Sequence, residues 1–219
     1  MAMSPIPAND ATLALIEALE RADSVLAVLR ATQELALCGD ANAAPALVGV
    51  LGFNNPGAAV AAVEGLINLG PAAVDALLQL DPENYGARAW AVRALAGIGD
   101  VRGLDLLLDA LGGDVAASVR RAAAKGLGQL ALADLPEAEQ QRVRRCCLEA
   151  LLAATADGEW VVRYAVAVGL ESLAGGITPG SAEWRQAREA LATLCEAAEA
   201  TPLVVQRRAT LALSRLECR

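Results

Sequence analysis

Hydrophobic positions in this chain recur in clusters rather than as one continuous run. The segments VEGLINLG, VRALAGIG, AKGLGQLA, VGLESLAG and ALSRLE each carry a leucine followed, three positions on, by Leu or Ile, near the end of a helical run. The first leucine of each, with a looser match at Leu35, gives Leu35, Leu66, Leu95, Leu127, Leu170 and Leu213 as anchors. Spacings of about 30 residues, lengthening to about 40 towards the C-terminus, accommodate two antiparallel helices with their turns, so the pattern predicts a helical solenoid. First helices are expected over residues 11–20, 42–51, 71–80, 102–111, 136–154 and 182–199. Punctuation agrees with this periodicity. Pro71, Pro136 and Ser181 stand at helix starts, and Gly39, Gly70 and Gly99 stand just past second helices. AGGITPGS, residues 174–181, reads as a loop, residues 1–10 as a flexible N-terminal arm, and residues 11–219 as a single domain.

Composition supports the same class. The chain is 55% hydrophobic and 3% aromatic, built on Ala, Leu and Val, which favours closely packed helices over sheets. No strand pattern emerges, and no uninterrupted apolar stretch long enough for a membrane span is evident. A net charge of −8 argues against a broad phosphate-binding surface, so nucleic acid is not an expected partner. Five cysteines without CxxC spacing and the absence of histidine leave no zinc site and no Ser-His or Cys-His nucleophile, and the thiols read as reduced, cytoplasmic packing residues.

A second helix that packs inward at −8, −4, 0 and +3 from its anchor points −6, −2 and +1 away from the core. Those positions hold Glu64, Arg93, Arg121 with Lys125, Tyr164 with Glu171, and Arg207. Trp90 stands beside them, while Tyr85 and Trp160 share a position at the mouth of the second helix. The middle repeats of an acidic protein are therefore expected to line one groove with Tyr85, Trp90, Arg93, Arg121, Lys125, Trp160 and Tyr164. Flat rings and planar guanidinium groups suit a flat, conjugated molecule bearing carboxylates. The competing reading makes the rings gap-fillers and the charges mere solvation.

At position −7 stand Arg88, Arg120 and Arg163, the last two preceded by Asp114 and Asp157 in a D-x5-R pattern. DVAASVR, DGEWVVR and VRRAAAKGLG resemble HEAT-like repeats of the phycobilisome-lyase class. In such repeats Arg88, Asp114, Arg120, Asp157 and Arg163 are implied to form a structural ladder between neighbouring units, so that loss of Arg120 would leave Asp114 unpaired. The longer stretches FNNPGAAVAAVEGLINLG, NYGARAWAVRALAGIGD and EWVVRYAVAVGLESLA extend the resemblance over roughly residues 11–174, to the F subunits of E/F-type phycocyanobilin lyases of cyanobacteria.

The resemblance implies an all-α, right-handed alpha-solenoid of about six HEAT-like helix pairs. It also implies a carbon–sulfur lyase subunit that works with a larger E-type subunit. The pair would attach phycocyanobilin, as substrate and not prosthetic group, to a cysteine of the phycocyanin alpha subunit, and catalyse the reverse transfer. Glu64, Asp100 and Glu171 are then the candidates for an acid or pyrrole-nitrogen partner. Without histidine, isomerisation of the bilin is not expected. A non-catalytic bilin or phycobiliprotein chaperone or degradation adaptor of the phycobilisome is the alternative. The charge-poor amino-terminal repeats are the expected contact for the partner subunit.

Overall fold

The protein's structure, a computed structural model, describes residues 8–81, 83–196 and 201–218, which form twelve α-helices and no strand. They fall in two compact units, one ending at Ile98 and the other beginning at Gly99. The first unit holds α1 (Ala8–Glu20), α2 (Val25–Leu37), α3 (Ala44–Val50), α4 (Pro56–Leu69), α5 (Val74–Leu78) and α6 (Tyr85–Ile98). The second holds α7 (Leu104–Gly113), α8 (Ala117–Leu127), α9 (Glu137–Ala153), α10 (Trp160–Ala174), α11 (Ala182–Cys195) and α12 (Leu203–Glu217). Each unit is thus three helix pairs. Even-numbered helices lie side by side within a unit, α2 on α4 on α6 and α8 on α10 on α12.

The expected first helices are all present. Those of pairs two to four open with a tight turn of 3-10 helix, at Ala41–Ala43, Gly70–Ala73 and Val101–Gly103. Of the arm expected at residues 1–10, residues 1–7 lie outside the described residues, and residues 8–10 already belong to α1. The sixth first helix stops at Cys195, and the expected extension to 199 falls largely outside the described residues.

Burial follows the anchor register. Leu35, Leu66, Leu95, Leu127 and Leu170 are fully enclosed, each contributing about 1.5–3 kcal/mol by leaving water. Small residues fill the neighbouring inward positions, such as Ala58, Ala62, Ala91, Ala123 and Val166, and let the even-numbered helices approach closely. A methyl on Gly65 would lie 2.6 Å from the Cβ of Ala36, and one on Gly169 would lie 2.4 Å from the carbonyl oxygen of Ala124. In α12 the register holds through Val205, Ala209, Ala212 and Leu216, while Leu213 itself is half-buried.

Gly70 ends α4 with φ of +61°, a left-handed conformation that a side chain would strain. Residues 56–78 are apolar enough, over a long enough run, to pass as a membrane span by composition. The reversal at Gly70 breaks that run into α4 and α5, whose inward faces pack in the core of the first unit.

Candidate functional site

In the second unit the outward positions of the even-numbered helices form a wall. Arg121 and Lys125 are exposed one turn apart on α8, Tyr164 is exposed on α10, and Arg207 is exposed on α12. Arg121, Tyr164 and Arg207 occupy the same repeat position on three adjacent helices, which sets a ring between two cations. Helix spacings of about 8–10 Å separate successive members of this row. Among the described residues none of Arg121, Lys125 and Arg207 is in an ion pair, so their charge is open to a ligand.

In the first unit, α6 carries Tyr85 at its first residue, Trp90 one turn on, and Arg93, whose guanidinium lies 4.5 Å above the Trp90 ring. Trp90 and Arg93, both expected to line a groove, here stack on one another. Tyr85 and Trp160 both stand at helix mouths and are exposed, Tyr85 on α6 and Trp160 on α10. Glu64 is exposed on α4, at the rim of a cavity of about 410 Å³ between α2 and α4.

Two of the three acid candidates are otherwise engaged. Glu171 accepts from Arg208 Nη2 and, at 3.1 Å, from Arg215 Nη1, both on α12. Burial pushes its carboxyl up, but the two guanidinium groups more than offset this and hold it below the usual range. Asp100 caps the turn before α7 and is gripped by the Arg102 side chain at 2.8 and 3.0 Å. The Arg102 bonds lower its pKa despite partial burial. Carboxylates held ionised in this way are poor proton donors, which weighs against Glu171 and Asp100 as the acid but not as acceptors for a pyrrole N–H. Arg208 and Arg215 were not predicted: Arg208 shares its repeat position with Arg30 alone, and Arg215 with no basic residue of the earlier repeats.

The aspartate–arginine ladder differs from expectation in its partner. Arg120 donates from Nε and Nη2 to Asp157 of the following pair, at 2.7 and 3.0 Å. At Asp114 it donates to the main-chain carbonyl, at 2.8 Å from Nη1, and likewise to that of Val115 at 3.2 Å. One nitrogen of the guanidinium thus holds its own turn while the opposite edge meets the carboxylate of the next. Arg163 repeats the local half of the motif, donating to the carbonyls of Asp157 and Gly158. Arg88 is half-buried on α6. Cys147 is buried, and desolvation pushes its thiol up to about 12, which makes it a packing residue rather than a nucleophile.

Comparisons with known proteins bear on this arrangement. The HEAT repeats family matches residues 74–141. The phycocyanin alpha phycocyanobilin lyase CpcF of Synechocystis is 53% identical over 161 residues, 73% of this chain and 75% of that protein. A phycocyanobilin lyase subunit beta of Thermosynechococcus vestitus is 45% identical over 209 residues, covering 92% of this chain and 94% of the relative. Among solved structures, the complex of CpcE and CpcF of phycocyanin lyase from Nostoc superposes with a TM-score of 0.69 and 43% identity, over 79% of this chain and 99% of that one. A designed armadillo repeat protein, at 20% identity and a TM-score of 0.59 over 93% of this chain, shares the fold alone. With its helix pairs, its anchor register and identities of this size, the chain belongs to the family of F-type, or beta, subunits of phycocyanobilin lyases.

Proposed function

We propose that the chain is one subunit of a two-subunit lyase that attaches phycocyanobilin to a cysteine of the phycocyanin alpha subunit, and that also runs the transfer in reverse. Its partner is an E-type subunit, and its setting is phycobilisome assembly in the cyanobacterial cytoplasm. The relatives named as lyase subunits support the activity. The observation that carries the site is the row Arg121, Tyr164 and Arg207, with Lys125 beside it, exposed and without ion pairs in a chain of net charge −8.

The reaction is an addition. The acceptor sulfur bonds to one carbon of the bilin's ethylidene double bond, the π bond opens, the thiol gives up its proton and the carbon at the other end takes one up, so nothing is oxidised or expelled. Such a step asks the protein chiefly for orientation, which can supply several kcal/mol of barrier lowering, on the order of 7–11 in well-oriented cases. Arg121, Lys125 and Arg207 hold the propionates by charge-assisted bonds, and Tyr164 offers a face for stacking. Trp90 with its stacked Arg93 offers the same pairing in the first unit. Of the three acid candidates, Glu64 is the one left exposed for proton delivery.

The experiment is co-expression of this chain, an E-type subunit, the apo alpha subunit and a bilin source. Covalent bilin on the denatured alpha subunit above a control lacking this chain is the expected result. No such excess, with the bilin bound but unattached, would replace the lyase reading by the chaperone one.

A further inference from the structure

The free N–H groups of a helix start are met by the residue before it, Ser24 for α2 and Asn84 for α6, so capping does not dictate the residue that follows. Here the residue that opens a second helix is repeatedly apolar and exposed. In the first unit Val25 opens α2 at 71% exposure, with Leu26 exposed beside it, Tyr85 opens α6 at 65%, and Phe53 is exposed in the turn before α4. In the second unit Trp160 opens α10 at 44%, Leu203 opens α12 at 62%, and Val115, in the turn before α8, reaches 82%. Scattered exposed hydrophobics are ordinary, but one repeat position filled by Val25, Tyr85, Trp160 and Leu203 in four of the six pairs, with Pro56 and Ala117 in the other two, is not.

Polar bonds inside each unit hold these turns still. In the first, Asn55 caps α4 through the Ala58 N–H and donates to the carbonyl of Val25 at 2.9 Å. The turn at Gly52 lies against Asn84, which caps α6 immediately before Tyr85. In the second, the Arg120 guanidinium grips the carbonyl of Val115 with one nitrogen and Asp157, three residues ahead of Trp160, with the others. Between those two turns opens a cavity of about 430 Å³ lined on one side by Gly112, Gly113, Ala150 and Ala153 and also by Asp114 and the paired Arg120 and Asp157. A methyl on either glycine would meet nothing within 4 Å.

We propose that this edge of each unit is a docking surface for the second lyase subunit, through an apolar strip on that subunit bordered by Lys and Arg, one of whose apolar side chains enters the cavity beside Val115. The inference rests on the reading of this chain as one subunit of a pair. The basic border follows from charge, since exposed Asp23, Asp81, Glu83 and Glu159 stand within a few residues of Val25, Tyr85 and Trp160. A permanent partner is the occupant that fits. Apolar side chains on a rigid edge are covered throughout in a stable complex, whereas a substrate protein that leaves after each turnover would uncover them. Tyr85 and Trp160 accordingly serve the subunit contact, and the bilin is left to the wall.

The test measures heterodimer formation without bilin, so that it can fail while the lyase reading stands. A photo-crosslinking residue is placed at Tyr85, Val115, Trp160 or Leu203, and as controls at Lys125 and Asp134. Binding of the E-type subunit is measured for the wild type, for V25S/Y85S and for V115S/W160S. We expect crosslinks to the E-type subunit from the edge positions and not from the controls, and a loss of affinity of about 30-fold or more in each double variant, with unchanged melting. Affinity within threefold of wild type, or edge crosslinks that land on the alpha subunit or on a second copy of this chain, would overturn the proposal.

Discussion

Arg120 and Asp157 join the fourth helix pair to the fifth through two parallel hydrogen bonds of 2.7 and 3.0 Å. Both side chains are largely buried, so removing the guanidinium strands a carboxylate that has little water to turn to. Arg120→Ala is expected to cost about 2 kcal/mol of stability, read as a lowered denaturation midpoint with native helicity retained at low denaturant.

The same pair sets a pH dependence. The Arg120 hydrogen bonds hold the Asp157 carboxyl below its ordinary value, against the opposing effect of burial. A depressed carboxyl contributes stability that is full above the unfolded value of about 3.9 and is lost as pH falls through the lower folded value. Wild-type stability should therefore fall steeply below about pH 4, and Arg120→Ala should flatten that limb. An acid limb of equal slope in both proteins would refute the assignment.

Gly169 and Gly112 are expected to respond oppositely to alanine. At Gly169 the added methyl would strike the Ala124 carbonyl at 2.4 Å, main chain that cannot yield, and the cost should be about 1–3 kcal/mol or more. At Gly112, on α7, the space is open, and the gain in helix propensity should leave stability equal or raised by about 0.5–1 kcal/mol. Thermal melts of the two variants decide it.

Arg121→Ala and Tyr164→Ala are expected to lower bilin transfer about tenfold while leaving melting within a degree or two, because both side chains are exposed on the wall. Loss of fold in either variant would show that these residues serve the core instead.

Glu171→Gln should act in the opposite sense. It weakens the tie to Arg208 and Arg215 and so should lower melting, yet leave the acid limb of the transfer rate unmoved, since this carboxylate is held ionised. A displaced acid limb would restore Glu171 as a proton donor.

Much of this architecture is legible in the sequence, because helix pairs report themselves through local signals. The anchor leucines, the glycine stops at Gly39, Gly70 and Gly99, the cap at Ser181 and the proline before α9 all act within a few residues of where they stand. The outward placement of Arg121, Lys125 and Tyr164 follows from the helical period in the same way. What the sequence hides is pairing between repeats. Nothing in DVAASVR distinguishes Asp114 from Asp157 as the carboxylate for Arg120, because reach depends on how one turn lies against the next. The capture of Glu171 by Arg208 and Arg215 is hidden for the same reason. The apolar helix mouths could have been found, since Tyr85 and Trp160 were already aligned and Val25 and Leu203 fill the same register.

The close contact of Gly128 with Gly169 sets how the wall in the second unit can move. A methyl on Gly128 would lie 2.4 Å from the Gly169 carbonyl oxygen and 2.5 Å from its Cα, so α8 and α10 touch there main chain to main chain. A second close approach, of Gly169 to the Ala124 carbonyl, pins the two helices further. Arg121 and Tyr164 both lie N-terminal to the Gly128–Gly169 contact, about 10 and 8 Å along their helices at 1.5 Å per residue. With levers so short, a swing of about 10° changes their separation by under about 2 Å, and the jaw that they form has a nearly fixed gape.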